Sequence, residues 1–335
     1  MGVKLSDIVV KKQIDFSDLK GKKIAIDFSN MAYQFLSSIR SKDGTPLMDS
    51  NNNITSVYVG IFSRITNLMS QNIYPCFVFD GKPPLLKVHT QEEREYRKRI
   101  AEEKLEKAKE AEDLEAIGKY SKQTSRLSSD IVSDSKELLK ALGLPIIQAP
   151  SEADAQGSYI VERGDVYAFA SSDFDCLLHN CPRLITNLTL SKKKRLASGA
   201  IIKISPEIIE LENVLKNLDI NQDQLIVIAI LCGTDYNQGI YKIGPKTALK
   251  LVKEHKDFNK IFEDVKADFN WKQIYAIFKS MPIMKNYQLK WNQIDQEKVK
   301  EILVEKHDFN KERVEKTLQN LNTRDKKQSS LFDWS

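Results

Sequence analysis

The feature that most constrains the fold is a pairing, repeated along the chain, of a short apolar run with a carboxylate at or just past its end. "KKIAIDFSN" (22–30), "YPCFVFDG" (74–81), residues 144–148 within "ALGLPIIQAP", and "DVYAFASSD" (165–173) each read as a β-strand. "PRLITNL" (182–188) reads as a fifth. Amphipathic helical patterns separate them, with Gly143 as the cap of one helix and Ser151 and Gly164 as the start and stop of the next. Strands alternating with helices predict an α/β fold with a mainly parallel central sheet flanked by helices.

In a parallel sheet the carboxyl ends of the strands share one edge, where α/β proteins bind ligands. Asp27 and Asp80 end the first two strands, Glu152 and Asp154 follow the third, and Asp173 and Asp175 follow the fourth. Asp235, in "LCGTDYN" past the apolar run "QLIVIAIL", is a plausible seventh member. Each has an ordinary explanation alone: Asp80-Gly81 as a turn, Asp154 as a capping-box partner of Ser151, Asp235 as a turn residue. Six on one edge demand a common cause. If the fourth strand runs on through "SSDFD", Asp173 and Asp175 share a side and Phe174 faces the body. A carboxylate set without His or Cys selects a hard cation, Mg²⁺ or Mn²⁺. Seven acids exceed the needs of one ion. Two ions about 4 Å apart, holding a phosphodiester between them, account for the number and imply metal-assisted phosphodiester hydrolysis.

The segment 88–142 breaks the alternation: it is highly charged, helix-favouring and poor in large apolar residues until its end. Lying between two strands, it reads as an inserted helical hairpin, either an inert solvated one or a mobile lid. Beyond residue 205 the pattern looks helical throughout, punctuated by "GIYKIGPKTALKLV" (239–252). The 335 residues are 41% hydrophobic, enough for a substantial core, with no apolar run near membrane-spanning length. Charged residues at the N-terminus predict an intracellular protein rather than a secreted one. The net charge of +5 is compatible with nucleic acid without proving it. Cys176, His179 and Cys181 suggest a metal cluster, but no second ligand pair accompanies them. The four cysteines (Cys76, Cys176, Cys181, Cys232) therefore read as buried thiols.

Five motifs, "AIDFSNMAYQFL", "VFDGKPPLLK", "APSEADAQ", "SSDFDCLL" and "LCGTDYNQGIYKIGPKTALKL", resemble in order and spacing those of the flap endonucleases, members of the XPG-type 5′-nuclease family. The resemblance spans the chain and has an archaeal character, since the long basic tail of eukaryotic members is not seen. It implies a PIN-like 5′-nuclease fold with a helical arch and a helix-hairpin-helix region. The implied divisions are nuclease regions at 1–87 and 143–235, an arch at 88–142, a helical DNA-binding region at 236–320 and a flexible tail at 321–335.

The resemblance also implies roles. Its metal-site acids fall on Asp27, Asp80, Glu152, Asp154, Asp173, Asp175 and Asp235, the set read from the strand ends, holding two Mg²⁺ with Mn²⁺ as a substitute. Its catalytic cations fall on Lys87 and Arg94, its base-stacking tyrosine on Tyr33, and further DNA contacts on Gly2, Arg64, Gly244 and Lys246. The usual Gly-x-Gly of the hairpin reads Lys242-Ile243-Gly244 here, which predicts that another residue makes the first tight turn. "QSSLFDWS" resembles a sliding-clamp (PCNA) binding box through Gln328, Leu331 and Trp334, with Ser335 in place of the second aromatic. "KKKR" (192–195) reads as a solvated β-hairpin or a DNA-facing patch. The implied activity is structure-specific 5′-flap endonuclease, with 5′–3′ exonuclease activity, in Okazaki-fragment maturation and base-excision repair. The expected protein is a monomer, near the nucleoid if archaeal, with no membrane association. The competing readings are a non-catalytic DNA-junction adaptor and a related 5′-exonuclease or bubble nuclease.

Overall fold

The computed structural model describes residue 3 and residues 5–190, 193–195 and 201–332, with 89, 114, 193–195, 201–203 and 322–332 as backbone. Among the described residues, nine strands form two sheets: β1 (Lys12–Gln13), β2 (Lys23–Asp27), β3 (Tyr74–Phe79), β4 (Ile146–Gln148), β5 (Ala168–Ala170), β6 (Arg183–Thr186), β7 (Lys193–Arg195), β8 (Ile201–Lys203) and β9 (Glu207–Glu210). Seven make the central sheet in the order β1-β9-β6-β5-β2-β3-β4, and β7 pairs β8 antiparallel as a hairpin. The pairs β2–β3, β2–β5, β3–β4 and β5–β6 are parallel.

Two features depart from the sequence reading. The stretch beyond 205 is not all helical, because Glu207–Glu210 joins the sheet antiparallel to β6 and carries the short β1 on its outer side. Its four residues "EIIE" offer too little alternation to be told from a helical run. The final helix, Lys311–Phe332, extends through residues read as a tail.

The strands read as unbroken apolar runs because parallel strands are covered on both faces. Ala25, Cys76, Val78, Phe169 and Leu184 enter the core on one face, beside the buried helix Gln222–Cys232. Ile24, Ile26, Phe77, Phe79, Ala168 and Ile185 enter the core on the other, beside the helix Phe28–Ser38. The charged insertion forms two long helices, Lys87–Glu110 and Leu114–Gln123, packed on each other. A third helix, Ser129–Ala141, turns Ile131, Leu138 and Leu139 into the core. Within the sheet β2, β3 and β4 advance to one side and β5 and β6 to the other, so the order reverses between β2 and β5. Ligands of α/β sheets bind at the carboxyl ends beside such a reversal. Among the described residues, no helix is long and apolar enough to cross a membrane.

Candidate active site

Asp27, Asp80 and Asp175 are fixed by backbone N–H groups as well as by position. Asp27, the last residue of β2, caps the following helix, its Oδ1 accepting from the Asn30 N–H at 2.9 Å. Its Oδ2 accepts from the Ser171 hydroxyl at 3.3 Å. Asp80 follows β3, and its Oδ1 accepts from the Ala153 N–H at 2.8 Å, which ties two strand ends together. Gly81 permits this approach, because a Cβ there would lie 2.2 Å from the Ala149 carbonyl oxygen. Ser151 does not open the next helix. Its hydroxyl donates to the Lys82 carbonyl at 2.9 Å, and the helix Ala153–Glu162 begins after Glu152, whose side chain makes no cap bond. Glu152 and Asp154 are thereby free of capping duty.

Asp173 and Asp175 are not related by strand geometry. β5 stops at Ala170, and Asp175 is the first residue of the short helix Asp175–Leu178. The chain turns because Asn30, at the head of the neighbouring helix, accepts from the Ser172 backbone N–H at 3.0 Å. Phe174 does pack against the core, with Lys11 Nζ 5.2 Å from its ring centre. Asp235 sits in a turn closed by Thr234 and Asn237, whose side chains bond at 2.8 Å.

Electrostatics confirm that these acids crowd one another. Burial first, then the Asp80 charge, pushes the Asp27 carboxyl up to about 8 against the lowering bond from Asn30. Burial together with Asp27, Asp173 and Asp175 holds Asp154 well above the carboxylate range. Burial, Asp173 and Asp235 do the same to Asp175, and burial and Asp235 raise Asp173. Two buried oxygens, Asp154 Oδ1 and Asp173 Oδ1, accept no hydrogen bond. Orphaned oxygens among buried carboxyls are costly unless a cation satisfies them.

Part of the compensation comes from the arch helix Lys87–Glu110. Lys87 Nζ contacts Glu152 Oε2 and lies 3.2 Å from Asp235 Oδ2. Arg94 forms an ion pair with Asp235, and the Thr90 hydroxyl donates to the Asp235 carbonyl at 2.8 Å. Burial would lower the Lys87 ammonium, but Glu152 and Asp235 more than offset it and raise it. Glu152 is nonetheless raised, because its burial outweighs the attraction of Lys87.

The remaining described residues of the predicted set sit on separate elements. Tyr33 is 43% exposed, with Lys98 of the arch helix 5.8 Å from its ring centre. Arg64 is half-buried in the π-helical turn Ile61–Ile65. Gly244 and Lys246 are exposed at the start of the helix Pro245–Glu254. The hairpin's substituted position solves its own turn: Lys242 itself adopts the left-handed conformation, φ 64°, so no other residue takes over. Gly2 and Trp334 lie outside the described residues, as do the side chains of Gln328 and Leu331. Cys176 and Cys181 are fully buried, and His179 faces the Phe278 carbonyl at 3.3 Å. Sequence reasoning missed Val3, whose N–H donates to Asp175, and Thr90, for which spacing along the chain carries no signal.

The donor set fits divalent metal ions of the hard class: carboxylates only, crowded, and with two oxygens unsatisfied. Among the described residues no three donors already close around one point, and Lys87 and Arg94 lie against two of the acids.

Comparison with known proteins decides the family. The XPG N-terminal domain model matches residues 1–101 and the XPG I-region model residues 143–235. Flap endonuclease 1 of Pyrococcus abyssi is 45% identical over 100% of this chain and 98% of its own length. That of Staphylothermus marinus is 46% identical over 96% and 94%. The chain belongs to the flap endonuclease 1 family. It is a nuclease of the XPG type, and the acids and cations above are its candidate active site. The solved structure of flap endonuclease-1 from Methanococcus jannaschii superposes with a TM-score of 0.77 at 42% identity, covering 96% of this chain and 98% of that one. The Rad2 catalytic core shares the fold at 21% identity and a TM-score of 0.73.

Proposed function

We propose that this protein is a structure-specific 5′-flap endonuclease whose carboxylates hold two Mg²⁺, with Mn²⁺ able to substitute. The observation that carries the reading is a set of crowded, buried acids, two of which, Glu152 and Asp235, face Lys87 and Arg94, cations borne by a helix that rises beside the sheet edge. The metal ions supply Lewis-acid activation and charge neutralisation for hydrolysis of a DNA phosphodiester, leaving 5′-phosphate and 3′-hydroxyl ends.

The chain's own residues do the rest. Asp27, Asp80, Glu152, Asp154, Asp173, Asp175 and Asp235 hold the ions. Lys87 and Arg94 exchange their carboxylate partners for the scissile phosphate and stabilise the charge that develops on it. Tyr33, exposed beside the arch helix, offers a stacking face to the terminal base. Arg64, Gly244 and Lys246, with Gly2, bear on duplex backbone, so binding falls steeply with salt. The helices of 88–142 form an arch for the 5′ strand, and 236–320 grips the duplex. The tail box of Gln328, Leu331 and Trp334 fits a sliding clamp that would bring the monomer to replication and repair intermediates, inside the cell and at the nucleoid.

A non-catalytic adaptor would have no need for a complete set of seven acids or for cations set against them. The test is a labelled 5′-flap with and without Mg²⁺, beside nicked, bubble and RNA-tipped substrates. Preferential, Mg²⁺-dependent cutting at the flap junction is expected. Binding without cutting would establish the adaptor instead, and preference for another substrate would establish a different nuclease.

A further inference from the structure

The turn that carries Asp235 is built as a rigid block rather than a loop. Asn237 is held by its side chain to the Ile230 carbonyl at 2.8 Å and to Thr234, while the Ile240 N–H donates to the Leu231 carbonyl at 2.8 Å. At Gly239, φ 78°, a Cβ would lie 2.5 Å from the Gly233 nitrogen, so the two ends of the turn are pressed backbone on backbone. Such a block moves as a unit. One end runs directly into the hairpin of Tyr241, Lys242 and Gly244. The other end faces the arch helix, and there the Gln238 amide donates to Glu93 Oε1 at 2.7 Å. Glu93 is the residue before Arg94 and less than two turns after Lys87. Neither Glu93 nor Gln238 belongs to the acid set.

We propose that Glu93 and Gln238 are positioning residues that fasten the arch helix to the hairpin-bearing turn, so that duplex held at the hairpin sets the placement of Lys87 and Arg94. The inference rests on the endonuclease reading and names a device within that site. A hydrogen bond to a charged acceptor is worth ~1 kcal/mol or more, enough to shift a placement equilibrium about 5-fold. Glu93 also pairs with Arg97 on its own helix at 3.5 Å, and Thr90 and Arg94 hold the same turn at Asp235, so this contact is one tie among several. Its loss through either residue is the same loss, and the two effects do not multiply.

The experiment is a double-mutant cycle on the full chain with Glu93→Ala, Gln238→Ala and the pair. Single-turnover flap cleavage and duplex affinity are read side by side. Each single substitution is expected to slow cleavage about 5-fold with duplex affinity within about 2-fold, and the pair to be no slower than either. Glu93→Gln, which keeps an acceptor oxygen, should restore the rate. Unchanged rates, or losses that multiply in the pair, would overturn the proposal. Hydrogen exchange of residues 87–110 on adding a nicked duplex without a flap gives a readout independent of cutting. Protection is expected in the unmodified protein and not in Gln238→Ala. If the protein cuts no flap, the endonuclease reading fails while the protection still decides the coupling. If the unmodified arch gains no protection, the coupling fails whatever the protein cuts.

Discussion

Asp175 Oδ1 accepts a hydrogen bond of 2.9 Å from the backbone N–H of Val3, 172 residues away in sequence. Val3 is buried, so the beginning of the chain is built into the acid cluster and steadies one of its most strained carboxyls. Without cations that carboxyl is a liability, since burial, Asp173 and Asp235 all oppose its charge. Asp175→Asn keeps an acceptor for Val3 and removes the charge. The metal-free protein should gain roughly 1–2 kcal/mol of stability near pH 8. Cleavage should fall at least ~10³-fold for want of a ligand. Calorimetry in chelator and single-turnover cutting check the two halves, and a loss of stability would contradict the electrostatic account.

Lys87 offers a test with the opposite sign. Its ammonium is raised by Glu152 and Asp235 despite burial, so it stays protonated throughout the working range. Activity should therefore show no alkaline limb below about pH 10 from this residue. Lys87→Ala should lower the cleavage rate by about 10²–10³-fold while duplex affinity changes little. A pH–rate profile and anisotropy titration of both proteins decide it.

His179 controls a pH-dependent part of stability. Burial holds it down at about 4, partly countered by the Phe278 carbonyl, with Lys87 pushing the same way as burial. The unfolded chain binds this proton below about 6.5 and the folded one only below about 4. Stability is thus full above pH 6.5 and is lost progressively as pH falls toward 4, by on the order of 3 kcal/mol from this group. His179→Phe should flatten the melting temperature between pH 6.5 and 4, relative to the unmodified protein. An unchanged slope would mean that other groups set it.

How much of this was legible in the sequence follows from locality. Asp27, Asp80, Glu152 and Asp154 were legible because each stands next to an apolar run long enough to read as a strand, and parallel topology then fixes the edge. Asp173 and Asp175 were found by the same logic with the wrong local geometry. The break after Ala170 depends on Asn30, 142 residues away from Ser172, and no local pattern announces it. Glu207–Glu210 was missed because a four-residue strand carries too little periodicity. Lys87 and Arg94 have no local signature at all among so many arch charges. Their importance is visible only once Asp235 is seen against them, or through the family's motifs.

Lys242 holds a backbone conformation that costs stability. A non-glycine residue in the left-handed region costs roughly 1–2 kcal/mol, while a glycine there gives back ~0.5–1 kcal/mol in unfolded-chain entropy. The Lys242 side chain is exposed, and its ammonium lies 5.2 Å from the ring centre of the exposed Tyr241, so little packing is at stake. Lys242→Gly should stabilise the protein by about 0.5–1 kcal/mol. Lys242→Ala retains the φ problem and should not. Both variants lose a cation from the hairpin, and both should reduce the salt slope of duplex binding by about 1 if Lys242 meets a phosphate. Denaturant melts and salt-titrated affinities separate the two effects. Stabilisation by alanine as large as that by glycine would show that the charge, not the backbone, is what destabilises this turn.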